Sequence, residues 1–394
     1  MIIEMKYHIK KDGTPGVCHA ENGKCPLGGD SGTENHFNSE AEAQTFIDNK
    51  NANIFANEQD LHKEELTNKI TELSSRVDAI TNNLEARKND KEFVGSDEWF
   101  NNIQERKALF YDKLSNEKEL AGINNEEFHT PNVWDTSLNN WHSDPNYQFH
   151  PEISHDNEWM VKQARTALQS YTGYDDEKLD GLLKEKEDKG LSLDQSYKEI
   201  YNEAHLRTDK NIVAIDLETA NPIFAGNKID RGPYSDIVEI GWHVQRPDGN
   251  NEEHDYLNKT SPELGKILGM GQESVHHISA DMVKDRPTFV ADKKTQEKVL
   301  NELKGNVLLA HNAQFEINQL SNNLRGFKKA YDNGEIEILD TMHISKYYTP
   351  ESARNSNEAF VEAAGLKYEG AHRALTDAKM SLNAMTINKE HNQK

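Results

Sequence analysis

Two acidic residues follow an apolar run in the second half of the chain. The run 212–215 (Ile-Val-Ala-Ile) predicts a buried strand, and Asp216 and Glu218 follow it two positions apart. Side chains at i and i+2 of a strand lie on the same face, so the two carboxylates are expected side by side. Their mutual repulsion favours a cation between them, and hard oxygen ligands suit Mg²⁺ or Mn²⁺. The alternative is a strand end with two solvated acids, and the later stretches bear on that choice.

Two later stretches carry residues of matching chemistry. A second apolar run, 307–310, leads through a turn to a predicted helix that starts near Glu316. The helix dipole stabilises an acid at that position, and the acid can point back toward a sheet end. Further on, His372 precedes Asp377 by five residues at the start of another predicted helix, so that Asp377 can join a metal cluster while His372 lies on a loop above it. Each stretch alone is a weak signal, but together and in this order they favour one metal site.

The elements that must position these residues begin after Arg207. Strands are predicted at 212–215, 237–244, 307–309 and 336–339, and helices at 294–303, 316–324, 357–364 and 374–385. Strands that are interspersed with helices in this way predict an α/β domain whose sheet is covered by helices. We expect this domain to span residues 207–394.

These motifs resemble those of the DEDDh 3′–5′ exonucleases, the family of the proofreading epsilon subunit of bacterial DNA polymerase III, ribonuclease T and oligoribonuclease. The first motif corresponds to 216–219 (Asp-Leu-Glu-Thr), the second to 310–316 and the third to 372–378. The strand 237–241 and the segment 276–279 (His-His-Ile-Ser) are similar to the family's second strand and its H-G-I-T segment. The resemblance covers nearly half of the chain. It implies a ribonuclease-H-like fold with a mixed, five-stranded central sheet.

The resemblance also implies a site and a reaction. The implied metal ligands are Asp216, Glu218, Glu316 and Asp377, which would hold two Mg²⁺ or Mn²⁺ ions. His372 is the implied general base, a role that suits an imidazole near neutral pH. The implied substrate contacts are Thr219, His311, Asn312 and Phe315, with Ile223 or Phe224 against the last base. The expected reaction is hydrolysis of single-stranded DNA or RNA from the 3′ end, with release of nucleoside monophosphates.

The chain departs from the family pattern at several positions. Glu316 replaces the usual Asp of the second motif, and its extra methylene moves the carboxylate by about 1.5 Å. Asp340, at the end of another predicted strand, is a nearby acid that could compensate, although its family counterpart is usually structural. His277 stands where the family has Gly, and Ala-Asn-Pro follows Thr219. These departures keep an alternative open: a catalytically weak nuclease fold that serves a phage or mobile element as a structural or host-interaction module.

Residues 1–52 are expected to form a small α+β module. A capping box of Ser39 and Glu42 predicts the start of its helix. The Cys, Cys-Pro, Gly-Gly and His-Phe pattern over 18–37 resembles an N-terminal module of Gram-positive phage and mobile-element proteins. The candidate zinc ligands are Cys18, His19, Cys25 and His36. They lack the usual paired spacing of a zinc site, so packing or turn roles are the alternative.

Residues 53–206 are expected to be mainly helical. Apolar residues at alternating steps of three and four form a heptad seam over 66–84. The seam predicts either a coiled coil that mediates self-association or an intramolecular hairpin whose partner lies within 157–206. The segment 92–156, rich in Asn, Asp, His and Trp, is expected to be irregular and packed against helices. Self-association or a protein partner bound through this half therefore remains open.

Composition bounds the remaining functions. The 394 residues exceed one typical domain, and the formal charge of −23 argues against broad electrostatic capture of nucleic acid. The charge is −18 before Arg207 and −5 from it onward, which favours single strands or short oligonucleotides over long duplexes. No apolar run approaches membrane-spanning length, and only two cysteines are present. We therefore expect no membrane association and a cytoplasmic location, in a bacterium or in a phage host.

Overall fold

Two compact units make up the part of the chain that the structure describes. This computed structural model describes residues 6–10, 12–18, 36–126, 158–220, 223–224, 233–271, 273–345, 356–368, 370 and 372–391. The first unit is drawn from residues 1–72 and 116–128, and the second from residues 73–115 and 129–394. The division of the chain at residues 52 and 206 stays a prediction.

A small antiparallel sheet opens the first unit. Its strands are β1 (Tyr7–Ile9), β2 (Pro15–Val17) and β3 (His36–Phe37). Strand β1 lies between the other two. Helix α1 (Glu40–Ala86) follows, and the backbone N–H of Glu42 donates to Oγ of Ser39 at 3.1 Å. This hydrogen bond satisfies one of the free donors of the first helical turn and forms half of the predicted capping box. The other half differs, because Oε2 of Glu42 accepts from the backbone N–H of Asn38 at 2.8 Å and not from that of Ser39.

A second long helix, α2 (Asp97–Asn124), packs against the predicted heptad seam. Leu73 and Leu84 of the seam are buried, and Leu84 packs with Ile103 of α2. The expectation of irregular structure is wrong for residues 97–124, because buried residues recur there at helical spacing within a polar background. These residues are Phe100, Ile103, Tyr111 and Leu114. The hairpin partner of the seam is thus α2, whereas the sequence placed it within 157–206.

Three shorter helices precede the central sheet. They are α3 (Glu158–Thr172), α4 (Asp176–Asp188) and α5 (Leu193–Glu203). The buried side chains of α3 and α5 include Leu168, Tyr171, Ile200 and Tyr201, which share a hydrophobic cluster with strand residues of the central sheet. The helical character predicted for this part of the chain is confirmed.

The central sheet has five strands. They are β4 (Ile212–Thr219), β7 (Ile237–Gln245), β8 (Glu252–Leu257), β9 (Val307–Ala310) and β10 (Glu337–Asp340), and the two-residue strands β5 (Ile223–Phe224) and β6 (Pro233–Tyr234) pair separately. The order is β10-β9-β4-β7-β8, with β7 antiparallel to both β4 and β8, and with β9 parallel to both β4 and β10. This arrangement confirms the prediction of a mixed, five-stranded sheet in an α/β domain.

Strand β4 is covered on both faces. Ile212 and Ala214 contribute to one hydrophobic cluster, and Val213 and Ile215 contribute to another. The helices of this domain within the described residues are α6 (Pro262–Leu268), α7 (Glu273–His276), α8 (Ala280–Val283), α9 (Lys293–Leu303), α10 (Ala313–Asn323), α11 (Phe327–Asp332), α12 (Thr341–Ser345), α13 (Asn357–Ala363) and α14 (Ala374–His391), with a 3₁₀ turn at Phe289–Ala291. Among the described helices, none is long and apolar enough to cross a lipid bilayer.

Candidate active site

The acidic pair predicted from the sequence lies at the end of β4. Asp216 and Glu218 share the strand face of Ala214, because side chains alternate between the two faces of a strand. Both carboxylates are partly buried. The pairing of β4 with β7 shifts register directly after Glu218, so the regular ladder is interrupted beside the two acids.

A third acid, Glu239, lies directly opposite Glu218 on β7. It is fully buried, and its Oε1 accepts hydrogen bonds from Nε and Nη2 of Arg373 at 2.8 and 2.7 Å. Its Oε2 accepts from the backbone N–H of Ala374 at 3.1 Å. Glu239 thus anchors the start of α14 to the sheet. The sequence analysis missed this pair, although an acid inside an otherwise apolar strand was its visible signal.

Gly241 lets the same helix start approach the sheet. It pairs with Asp216 of β4 on one side and with Asp255 of β8 on the other. A Cβ at this position would lie 2.0 Å from the backbone N of Leu375, closer than any real contact. The first turn of α14 therefore occupies the space that a side chain at Gly241 would fill. The positive end of the helix dipole then lies close to the acidic residues.

His372 and Asp377 are brought to the acidic pair by this helix start. The backbone N–H of His372 donates to Oδ2 of Asp377 at 3.0 Å, and the imidazole is exposed. Candidate ligand atoms of Glu218, His372 and Asp377 all lie within 4.8 Å of one another. The structure therefore brings the first and third sequence motifs together.

Glu316 reaches the cluster from the first turn of α10. Its side chain is 2% exposed, and burial is the first cause that raises its pKa well above the ordinary range. The nearby charges of Asp340 and Glu218 raise the pKa of Glu316 further. Glu316 belongs to the second sequence motif and Glu218 to the first. Their electrostatic interaction therefore shows that the two motifs contribute to the same group of acids.

Asp340 has a different role from the other acids. Its Oδ1 accepts from the backbone N–H groups of Asn312 and Met342 at 3.0 and 2.9 Å, and its Oδ2 accepts from that of Ala313 at 3.0 Å. Both carboxylate oxygens thus satisfy donors at the starts of α10 and α12. Asp340 holds these helix starts in place, which argues against the compensating metal ligand considered from the sequence.

The carboxylates raise one another's pKa values. Burial is the largest cause of the raised pKa of Asp216, and the neighbouring Glu316 and Glu218 carboxylates add to it. Burial, then the charges of Asp377 and Glu239, raise the pKa of Glu218 to about 8. Burial also raises the pKa of Asp377. Packing several acids together in this way is costly unless positive charge compensates them.

The acidic cluster fits a divalent metal. Within the described residues, Oε2 of Glu316 and Oδ1 of Asp377 are buried and have no hydrogen-bond partner. Native proteins rarely leave such atoms unsatisfied, and here they belong to the same cluster of mutually repelling carboxylates. Oxygen donors of this kind are the ligands that Mg²⁺ and Mn²⁺ prefer. The donor set is therefore the one expected for a hard cation.

The candidate substrate-binding residues have mixed environments. His311 packs its ring against Phe360 at 5.9 Å between centroids, and its Nδ1 lies 2.9 Å from Oγ1 of Thr341. Thr219 is buried, and Phe315 packs against a hydrophobic cluster. Asn312 adopts a left-handed φ of 67° directly before α10. The backbone of Ile223 and Phe224 forms β5, and the side chains of these two residues lie outside the described residues. The substrate contacts of all six stay predictions.

Tyr368 is a neighbour of the cluster that the sequence analysis missed. Burial is the first cause that raises the pKa of Tyr368, and the Asp377 and Asp216 charges also contribute. The tyrosine therefore stays neutral beside the acids. A tyrosine between two predicted helices carries no signal of its own in the sequence.

The segment that resembles H-G-I-T also has a definite structure. His276 is buried, and its ring lies between the carbonyl of Met270 and the backbone N–H of Ile278, at 3.3 and 3.0 Å. His277 adopts φ 58°, a left-handed conformation that glycine adopts without strain. The backbone thus keeps the conformation that suits the family's usual Gly, although this chain carries a histidine there.

Comparison with known proteins finds a family model that matches this domain. Residues 213–385 match the family model RNase_T, described as an exonuclease. This match in the C-terminal half of the chain confirms the resemblance predicted from the motifs. The resemblance of the N-terminal segment to a phage and mobile-element module stays a prediction.

Curated relatives match the same half of the chain. It is 26% identical over 174 residues to the 3′–5′ exonuclease DinG of Staphylococcus saprophyticus, covering 44% of this chain but only 17% of DinG. It is 28% identical over 145 residues to the DNA polymerase III epsilon subunit of Buchnera aphidicola, covering 36% of this chain and 56% of that one. The match thus covers less than a fifth of the length of DinG.

Solved structures with low overall similarity include two nucleases. One is the nuclease domain of 3′hExo, described as a DEDDh family member bound to rAMP, with 18% identity, a TM-score of 0.30, and coverage of 46% of this chain and 92% of that one. The other is E. coli ExoI in a complex with single-stranded DNA, with 12% identity, a TM-score of 0.36, and coverage of 47% and 41%.

Proposed function

We propose that the protein is a metal-dependent 3′–5′ exonuclease that hydrolyses single-stranded DNA or RNA from the 3′ end and releases nucleoside monophosphates. The observation that carries this proposal is the convergence of four acids from three separate elements, with an exposed histidine beside them. The acids are Asp216, Glu218, Glu316 and Asp377. The name of the DinG relative, a 3′–5′ exonuclease, supports the polarity of the reaction.

The four acids are the proposed ligands of two Mg²⁺ or Mn²⁺ ions. When bound, the two ions supply activation of the attacking water and stabilisation of the leaving 3′-oxygen. Asp216 is the proposed ligand of both ions. Its carboxyl lies close enough to Glu316, Glu218 and Asp377 for the charges of all three to raise its pKa. Arg373 and Glu239 fix the helix start that carries Asp377.

His372 is the proposed general base. Its imidazole is exposed, so it can contact substrate and solvent, while its main chain is held by Asp377. A ring nitrogen of His372 lies within 4.8 Å of carboxylate oxygens of Glu218 and Asp377, which supports proton transfer to it from a water at the same site. The proton leaves to bulk solvent through the exposed side of the ring.

The proposal is tested with strands labelled at either end. With Mn²⁺, a 5′-labelled single strand is expected to shorten into a ladder, and a 3′-labelled strand to release its label as a mononucleotide at the first turnover. A strand with a blocked 3′ end should resist. Matched DNA and RNA strands then determine which sugar the site accepts.

Variants connect the activity to the site. Asp216→Ala is expected to abolish the activity, whereas Asp248→Ala, which removes an exposed acid from a turn outside the cluster, should leave it unchanged. Activity that persists in Asp216→Ala would contradict the assigned site. Inactive wild-type protein on every strand would favour the alternative proposed from Glu316, a catalytically weak module with a structural or host-interaction role.

A further inference from the structure

Three metal-binding side chains meet on the small sheet of the first unit. His8 lies on β1, His36 lies on β3, and Cys18 directly follows β2. Their candidate ligand atoms all lie within 4.8 Å of one another. His8 was not among the zinc candidates drawn from the sequence, and His19 and Cys25 of that set lie outside the described residues.

The strand register explains why these side chains share one face. His8 pairs directly with His36 on one side and with Gly16 on the other, and directly paired residues of antiparallel strands point to the same face. Cys18 is two positions beyond Gly16, so it returns to that face. The backbone N–H of Cys18 still donates to the carbonyl of Lys6 at 2.7 Å, which continues the ladder. Gly16 itself adds no side chain to the face.

The distances suit a zinc ion. Sγ of Cys18 lies 3.3 Å from Nε2 of His36. In tetrahedral zinc sites the Zn–S and Zn–N bonds are about 2.3 and 2.0–2.1 Å, which places the two ligand atoms about 3.5 Å apart. Imidazole and thiolate are also the ligand types that proteins use for zinc. The three side chains supply three of the four positions of such a site.

The small sheet buries so little apolar surface that a bound metal would stabilise it. Among the described residues of the three strands, His8 is the only non-glycine residue that is buried, at 8% exposed. The neighbouring Tyr7, Ile9 and Val17 are only partly buried. Strands of two or three residues with so little buried apolar surface are marginal alone, and small modules of this kind are commonly stabilised by a metal.

We propose that His8, Cys18 and His36 bind a Zn²⁺ ion that holds the three strands of this sheet together. The site contains the soft sulfur ligand that the carboxylate cluster of the exonuclease domain lacks. The two sites therefore differ in chemistry and can be observed separately in the full-length chain. Failure of one proposal leaves the other intact.

The test uses cobalt as a probe in the full-length, metal-free protein. Titration with Co²⁺ is expected to produce thiolate-to-cobalt charge-transfer absorbance, and Zn²⁺ should then abolish this absorbance because zinc binds more tightly and has a filled d shell. Co²⁺ bound by the carboxylates gives no such band, because they contribute no sulfur. Wild-type protein that shows no charge-transfer band would overturn the proposal.

Variants assign the ligands. His8→Ala, Cys18→Ser and His36→Ala should each lose the band or weaken Co²⁺ affinity at least tenfold. His62→Ala, an exposed histidine of the same unit that lies 2.8 Å from Glu119, should leave both unchanged. Because alanine variants can simply misfold, His36→Cys provides the decisive comparison: it exchanges one zinc ligand for another and should restore binding with roughly twice the charge-transfer intensity. An unchanged band in Cys18→Ser, or no binding in His36→Cys, would contradict the site.

Discussion

The backbone N–H of His372 donates a hydrogen bond to Oδ2 of Asp377 at 3.0 Å. His372 adopts φ 62°, in the left-handed region, and this conformation turns the N–H toward the helix start. The loop is thus held by its main chain, and the imidazole remains exposed. The chemistry of the ring can therefore be separated from the structure of the loop by substitution.

His372→Ala is expected to lower kcat by about 10²–10⁴-fold, the usual contribution of a general base. The melting temperature and the affinity for Mn²⁺ should change little, because the bond to Asp377 comes from the backbone. Kinetics and metal titrations on the same preparation check this separation. His205→Ala, which removes another exposed histidine, is the control and should behave as wild type. A matching loss of Mn²⁺ affinity in His372→Ala would instead identify the ring as a metal ligand.

The raised pKa of Glu218 predicts how metal-free protein responds to pH. In the folded state this pKa is about 8, against an ordinary value of 4.5, so the folded state holds the proton more tightly than the unfolded chain. The contribution of Glu218 to stability is therefore fully present below pH 4.5 and is lost as the pH rises toward 8. The melting temperature of metal-free protein should fall across this range, and Glu218→Gln should flatten the fall.

Metal should reverse this trend, because it binds the ionised carboxylates and competes with protons. The increase in melting temperature on adding Mn²⁺ is expected to be larger near pH 8 than near pH 5. In Glu218→Gln the increase should be small at both pH values. A metal-induced shift that is independent of pH in the wild type would contradict the assignment of Glu218 to the metal site.

Glu316 and Asp340 are both buried acids next to the site, and the structure predicts opposite effects for them. Glu316 has a buried oxygen without a hydrogen-bond partner among the described residues, so Glu316→Gln should stabilise the metal-free fold and weaken Mn²⁺ binding. Asp340 accepts three backbone N–H groups, so Asp340→Ala should cost about 1–3 kcal/mol while metal binding persists. Thermal melts with and without Mn²⁺ compare the two variants directly. If both variants changed stability and Mn²⁺ affinity in the same direction, the assignment of Glu316 as a metal ligand and of Asp340 as a structural residue would be wrong.

The unusual length of Glu316 gives a further comparison. Glu316→Asp introduces the acid that the resembling family usually has at this position, and it shortens the side chain by about 1.5 Å. Because the structure places Glu316 with its carboxylate buried beside the other acids, the shorter side chain is expected to retain Mn²⁺ binding but to change kcat. Single-turnover rates at saturating Mn²⁺ measure this effect without interference from metal affinity.

The sequence predicted those parts of the fold that depend on short-range pattern. Strands β4, β7 and β9 were visible as apolar runs, because central strands covered on both faces are largely apolar. Strand β10, at one edge of the sheet, was visible from its apolar residues Ile338 and Leu339. Strand β8 was missed because Glu252–Leu257 is mostly polar and lies at the edge of the sheet, where burial does not constrain composition. Helix α2 was missed because its buried residues are diluted by Asn, Glu and Lys.

The candidate site shows the same limit. Asp216, Glu218 and Asp377 were predicted because their local spacing carries information about the strand or helix they occupy. The pairing of Glu239 with Arg373 joins residues 134 positions apart, and no local pattern reports such a contact. His8 was missed for the same reason, since only the strand register places it opposite His36. Long-range partners of a known motif are thus the part that requires the structure.

Gly241 allows a test of whether the position of α14 controls the site. A Cβ at Gly241 would lie 2.0 Å from the backbone N of Leu375, so Gly241→Ala must push the helix start away from the sheet. Overpacking of this kind costs about 1–3 kcal/mol. Displacement of the helix also moves Asp377 away from Asp216, so Mn²⁺ affinity and kcat should fall together.

Gly181→Ala is the control: it lies in α4 with open space around its Cβ and should stabilise the protein by about 0.5–1 kcal/mol without affecting activity. Normal activity in a destabilised Gly241→Ala protein would show that the site tolerates movement of α14, and the close contact would then serve stability alone.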